Sequence, residues 1–364
     1  MTQKRSFVPL AVAALALCHC NSGSSANHDA TFHDGETPLT DGGLADSTAT
    51  HDADLPPVTV VVSSDQTIAG HPHTIDYYIP SNATKAIVFL HGGGGSKEGF
   101  AYNLDIKSSN ASSSYEVSTD GKSWLIDQKV AAIFPQGQKI GVLKPSTWSN
   151  YLMDSGVDDV GFLKDLVTSM KSNPSLSNVK KIYLVGHSNG GVMANRFWCE
   201  SPTTFDGYGA LAGPPAAELD PSGSAHPCNP AVAKPYIAIF GDHDSQLQTA
   251  GNMAANTWTV ISYNADSNAW STTNAGEVLN ELVYYTDKRV NMTCGGSAAQ
   301  PITSGQLTTY SDCANTLELI IVAQVGGDAG DHCLRTAVST CITTLAGNTG
   351  LDYKTAVFDF LKQH

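Results

Sequence analysis

The sequence predicts an α/β domain with a mostly parallel central sheet and helices on both faces. Three observations carry that. Short apolar runs bounded by turn residues recur at 58–62, 74–79, 86–90, 130–134, 182–185, 209–212, 236–240 and 317–325. Several are continuous Val/Ile/Leu stretches rather than alternating ones, the pattern of parallel strands covered on both sides. Helical spacing fills the gaps. Residues 158–173 place Val160, Leu163, Leu166, Val167 and Met170 three or four apart and stop before Pro174. Residues 188–201 and 353–362 read the same way, and strands alternating with helices give a parallel sheet.

The elements follow a different kind of N-terminus. Lys4 and Arg5 precede an apolar stretch from Phe7 to Cys18, then small polar residues, the layout of a bacterial export signal over 1–17. Ala14-Leu15-Ala16 fits ordinary cleavage, whereas Leu15-Ala16-Leu17-Cys18 resembles a lipoprotein signal with a bulky residue before the cysteine. Secretion and outer-surface tethering through lipid at Cys18 are both open. Residues 18–57 read as a disordered acidic linker, because 21–57 hold seven acidic residues and no Lys or Arg. A single folded domain is expected over 58–364, with no second boundary and no internal repeat.

Composition excludes several classes. Only 15% of 364 residues are charged, and 20 Lys+Arg against 34 Asp+Glu give a formal charge of −14. A nucleic-acid binder needs a basic footprint, and nothing here exceeds pairs such as Lys180-Lys181. No apolar run approaches the ~20 residues of a membrane span, so a membrane is reached only through a lipid at Cys18. A monomer is expected. Eight cysteines fit an oxidising compartment. Nearest-neighbour pairing of the six beyond the leader gives Cys199–Cys228, Cys294–Cys313 and Cys333–Cys341. The chain has no CxxC and no credible metal spacing, so neither metal nor cofactor is expected.

The chemistry centres on Gly186-His187-Ser188-Asn189-Gly190, a G-x-S-x-G. The pattern is weak alone. Here it follows a strand and opens a helix directly, which is the strand–turn–helix of a nucleophile elbow in the α/β-hydrolase fold. Such a nucleophile needs donors for the developing oxyanion. His91-Gly92-Gly93-Gly94-Gly95 follows the strand at 86–90, where that loop belongs, so Gly92 or Gly93 pairs with the Asn189 amide. The acid should follow the strand at 236–240. Asp244 is favoured over Asp242, which reads as a turn-former beside Gly241. The base comes last: His332 is the only histidine between residue 244 and His364. His91, His187 and Trp148 are taken as pocket residues, with a structural role behind the reacting groups the alternative for His187 and a plain core position for Trp148. Asp158 and Asp159 read as helix-start residues rather than metal ligands.

These residues resemble those of the poly(3-hydroxybutyrate) depolymerase-like esterases, relatives of feruloyl and acetylxylan esterases. The similarity runs from about Lys85 to the C-terminus. Its most specific stretches are Gly156-Val-Asp-Asp-Val-Gly-Phe-Leu163 and Lys181-Ile-Tyr-Leu-Val-Gly-His-Ser-Asn-Gly-Gly-Val-Met-Ala194, with His91-Gly92, Gly241-x-x-Asp244 and the Gly-Gly run ending at His332. The resemblance implies an α/β-hydrolase fold, a Ser188–Asp244–His332 triad and an ester substrate, a polyester or an acylated polysaccharide. A peptidase or acyltransferase of the same fold, or a non-catalytic binding protein on that scaffold, is the alternative. Two departures stand out. The family often has a more hydrophobic residue at 187. Its histidine loop usually reads Gly-Gly-Gly-His-x-Trp, whereas Asp331 precedes His332 here and no tryptophan follows.

Overall fold

The structure is a computed structural model and describes residues 57–139, 145–220, 226–228, 232, 234–242, 244, 257–258, 261–264, 269–272, 278–279, 301–323, 332 and 351–364. The expected leader and nearly all of the acidic linker lie outside these residues, as do Cys294, Cys333 and Cys341.

In chain order the strands are β1 (Val60–Thr67), β2 (Thr74–Pro80), β3 (Lys85–Leu90), β4 (Val130–Pro135), β5 (Lys181–His187), β6 (Gly207–Leu211) and β7 (Tyr236–Gly241). Short pairs follow: β8 (Thr257–Trp258) with β11 (Val278–Leu279), and β9 (Ile261–Asn264) with β10 (Ala269–Thr272). The chain then returns to the main sheet with β12 (Ile302–Ser304), β13 (Leu307–Ser311) and β14 (Leu317–Val322). The helices are α1 (Lys97–Asn103), α2 (Thr119–Gln128), α3 (Asp159–Ser172), α4 (Asn189–Glu200) and α5 (Tyr353–Leu361).

The main sheet runs β1-β2-β4-β3-β5-β6-β7-β14-β13-β12. From β4 to β14 every neighbouring pair is parallel, while β1, β2 and the β12–β13 hairpin join antiparallel. This is the α/β-hydrolase fold. The order places β5, which carries the serine, in the sheet interior between β3 and β6.

Pleating sorts the strand side chains into two cores. On β3, Ala86, Val88 and Leu90 join the face covered by α3 and α4, where Phe162, Leu166, Met193 and Phe197 pack. Ile87 and Phe89 join the opposite face, with Phe100 of α1, Trp124 of α2 and Val357 of α5. Both faces are therefore dry, which explains why these strands read as unbroken apolar runs. The edge differs. β1 extends through Ser63, Ser64, Asp65 and Gln66, because a strand paired on one side only tolerates polar residues. β6 ends at Leu211, since Ala212 has φ +45 and leaves the extended region. Asp158 caps α3 by accepting from the Gly161 N–H at 2.8 Å, as read from the sequence.

Candidate active site

β5 delivers the chain to Ser188 in a backbone geometry that L-residues rarely adopt, φ 52 and ψ −121. α4 begins at the next residue. The flanking glycines are required by space. A Cβ on Gly186 would stand 2.0 Å from the Gly190 carbonyl oxygen, and one on Gly190 would stand 2.2 Å from that of Leu90. The Ser188 N–H donates to the Leu211 carbonyl at 2.8 Å, fastening the turn to the end of β6. The strain is thus held by the sheet on one side and the helix on the other.

Two side chains from distant segments meet this serine. His332 Nε2 lies 2.8 Å from Ser188 Oγ, and His332 Nδ1 lies 2.8 Å from Asp244 Oδ2. Asp244 is fully buried and His332 is 4% exposed. A carboxylate only accepts, so Nδ1 carries the proton and the Nε2 lone pair faces the serine hydroxyl. That arrangement can take a proton from Ser188 as it attacks. Of the two competing aspartates, Asp244 is the one on the histidine. The Asp242 N–H donates to the Val322 carbonyl at 3.0 Å, placing that residue at the end of the β7–β14 pairing.

The glycine loop after β3 supplies the other half. His91 Nε2 accepts from the Gly137 N–H at 2.9 Å and lies 3.0 Å from Gln136 Nε2, so Nδ1 holds the proton and donates to the Gly92 carbonyl at 2.7 Å. The Gly95 N–H donates to the same carbonyl at 3.0 Å. In a trans peptide the N–H points opposite the C=O, so the Gly93 N–H faces away from His91. Gly93 sits beside Asn189: a Cβ built on it would be 3.6 Å from the Asn189 Cβ. Gly93 therefore lies against Asn189, the first residue of α4, which directly follows Ser188. Burial holds the His91 imidazole down at about 4, so it stays a neutral brace.

The far end of this loop is anchored as well. Ser96 caps α1 by accepting from the Gly99 N–H at 3.0 Å. Lys97 Nζ contacts Asp76 at 2.7 Å, Glu98 at 2.8 Å and Asp65 at 3.1 Å. Burial opposes its charge, yet the three carboxylates hold Lys97 above the ordinary lysine value.

A strap over residues 146–155 locks Asn189 from above. Asn189 Oδ1 accepts from Thr147 Oγ1 at 2.9 Å and from the Trp148 N–H at 2.8 Å, while Asn150 Nδ2 donates to the Asn189 carbonyl at 2.7 Å. The strap is itself held. Asp159 accepts from the Ser149 N–H at 2.7 Å and pairs with buried His73 at 2.7 Å, and the guanidinium of Arg196 lies 4.4 Å from the Tyr151 ring. Met153 of the same strap has its sulfur 3.6 Å from the Cβ position of Gly93. Sequence reasoning missed Gln136, Thr147 and Asn150, because no local spacing pairs residues 136–150 with 91 or 189.

Two expected pocket residues are corrected. Trp148 is fully buried and its indole N–H donates to the His91 carbonyl at 3.0 Å, so it is a core brace with no face for a ligand. His91 is 2% exposed with both ring nitrogens engaged, and supports the loop instead of lining a pocket. His187 is half-buried beside His332, with ring centroids 5.1 Å apart. Of the cysteine pairs, Cys199–Cys228 is present. Cys313 is disulfide-bonded; Cys294 of its expected pair, and the expected Cys333–Cys341 pairing, lie outside the described residues.

No family model matches the chain, and no curated protein matches it. Among solved structures it is similar to a dienelactone hydrolase from Anabaena variabilis, at 20% identity over 52% of this chain and 76% of that one, with a TM-score of 0.34. It is similar to an esterase from Pyrococcus furiosus, at 13% identity over 84% and 91%, TM-score 0.43. A carboxylesterase from Bacillus cereus overlaps at 13% identity over 48% and 73%, TM-score 0.33. At such scores the fold assignment rests on the strand order described above.

Proposed function

We propose that this chain is a serine carboxylic ester hydrolase working through an acyl-enzyme. The observation that carries the reading is the hydrogen-bonded line Ser188–His332–Asp244, at 2.8 Å and 2.8 Å, on a strained turn beside the glycine loop. Ser188 Oγ attacks the ester carbonyl carbon as its proton passes to His332 Nε2. Charge developing on the carbonyl oxygen is met by the N–H groups of Gly93 and Asn189. The intermediate then collapses, and His332 returns the proton to the departing alcohol. Water repeats the cycle on the acyl-enzyme, releasing the acid and restoring Ser188. Asp244 holds the productive tautomer throughout. No cofactor or metal enters.

The substrate class proposed is a polyester of the hydroxybutyrate type, on the strength of the motif resemblance at 156–163 and 181–194. Esters on plant polysaccharide, feruloyl or acetyl, are the runner-up. The leader pattern at 1–17 and the Cys199–Cys228 bond support an exported bacterial enzyme, released or tethered at Cys18, acting as a monomer. A steady-state panel tests this: soluble hydroxybutyrate oligomers, acetylated xylan, feruloylated sugars and peptides. Turnover of the oligomers above the sugar esters, with no peptide cleavage, is expected. Peptide cleavage without ester turnover would overturn the reading.

A further inference from the structure

We propose that His187 is a positioning residue whose ring N–H holds the backbone of His332 and so sets where the base stands relative to Ser188. This deepens the ester-hydrolase reading and rests on it. His187 Nε2 lies 2.8 Å from the His332 carbonyl oxygen. A carbonyl only accepts, so Nε2 carries the proton and the bond has one direction. Through His332 itself, the contact closes a small cycle. The imidazole reaches Ser188 Oγ at 2.8 Å, Ser188 follows His187 in the chain, and His187 returns to the His332 carbonyl. The base is thereby gripped at both ends by two adjacent residues of the elbow.

The placement of His187 makes it suited to this. It closes β5 on the face that carries Tyr183 and Val185, and its ring lies 6.2 Å from that of Phe100 on α1. Its Nδ1 is 3.2 Å from where a Cβ on Gly92 would stand, so the glycine loop abuts the ring from that side. Phe100 and Gly92 therefore limit the ring's rotation, and the N–H stays aimed at His332. Burial and the neighbouring His332 hold the His187 imidazole down at about 3, so it remains uncharged while His332 takes and gives its proton. A second cation beside His332 would disfavour the imidazolium that the reaction forms. A more hydrophobic residue here would fill the space without the bond, since only a donor can hold a carbonyl.

The test compares His187→Phe and His187→Leu, which fill the site without a donor, with His187→Gln, whose amide N–H reaches toward the Nε2 position. A base displaced by about 1 Å costs ~10²-fold in rate. The donor-less variants should lose on the order of 10- to 100-fold in kcat with KM within about threefold, while His187→Gln recovers most of the loss. Having two donor-less variants guards against one failing to fold, and thermal melts report folding. A second readout needs no substrate: the low-field proton NMR line of the His332–Asp244 bond should shift or broaden in His187→Phe and return in His187→Gln. If all three variants match the parent in kcat and in that line, the proposal is overturned. If the parent hydrolyses no ester, the ester-hydrolase reading falls, and the NMR line still decides what His187 does.

Discussion

The glycine loop after β3 and His332 flank the same serine, and among the described residues they are secured by different contacts. The glycine-loop side is cross-braced. Its carbonyls and amides are tied by His91, Gln136, Thr147, Trp148 and Asn150, and its far end is pinned where Lys97 meets three carboxylates. Among the described residues, His332 is held by the side chains of Ser188 and Asp244 and by the His187 bond to its carbonyl. Braces made of buried polar groups belong to the core, so disturbing them costs stability as well as rate. Contacts that are themselves the machinery cost rate first. The comparison predicts which of the two measurements moves for a given substitution.

The largest effect belongs to the contacts at the serine. Ser188→Ala and His332→Ala should each lower ester turnover on the order of 10⁴-fold or more, with melting temperature nearly unchanged in Ser188→Ala and lowered in His332→Ala, which leaves buried Asp244 without this partner. Retention of a tenth of the activity would move the nucleophile elsewhere. Next comes the acid: Asp244→Asn should cost on the order of 10³- to 10⁴-fold, because the amide favours the wrong imidazole tautomer. Asp242→Asn should stay within about threefold, and the reverse ranking would transfer the acid to Asp242.

On the braced side the losses should be shared. Thr147→Val or Asn150→Ala leaves a bond to Asn189 unmade, so we expect about a tenfold fall in kcat together with roughly 1–2 kcal/mol of stability. A loss of rate with no loss of stability, measured by urea unfolding, would mean that the strap is not the brace described. The smallest effect on activity is expected from Cys199→Ser with Cys228→Ser. Those cysteines are 29 residues apart, and releasing the loop should cost roughly 3–4 kcal/mol by chain entropy while kcat stays within about threefold.

Acid should act on both halves. The imidazoles of His91 and His187 are held at about 4 and about 3, against an ordinary value of 6.5, so from pH 6.5 down to 5 the unfolded chain takes up protons that the folded one refuses. Stability therefore falls with acidification through that window. Urea midpoints should drop between pH 7 and pH 5, and His187→Gln should flatten part of that slope. A midpoint that rises toward pH 5 would contradict the neutral assignment of both rings.

Much of this was legible in the sequence, and the reasons differ by element. β3, β4, β5 and β7 announce themselves because both faces are buried. α3 and α4 carry enough apolar spacing to be read. α2 was not anticipated, since it buries only Gly121, Trp124 and Leu125. The β12–β13 hairpin is exposed or half-buried along its length, which leaves no apolar run to read. Within the site, Ser188 between glycines, Asp244 after a strand and the last internal histidine stand out by chemistry that is rare at fixed spacing, and the structure brings those three together. What was missed or misplaced depends on contacts between distant segments. Trp148 looks like a pocket wall in sequence because nothing local reveals that its N–H is spent on the His91 carbonyl.

The central claim is that Ser188 is the nucleophile of a covalent cycle driven by His332. Treating the folded protein with a fluorophosphonate and mapping the modified peptide by mass spectrometry tests it directly. The account predicts one adduct, on Ser188, formed stoichiometrically in the parent, absent in Ser188→Ala and slowed by orders of magnitude in His332→Ala. An adduct on any other residue, or equal labelling of the parent and Ser188→Ala, would contradict it.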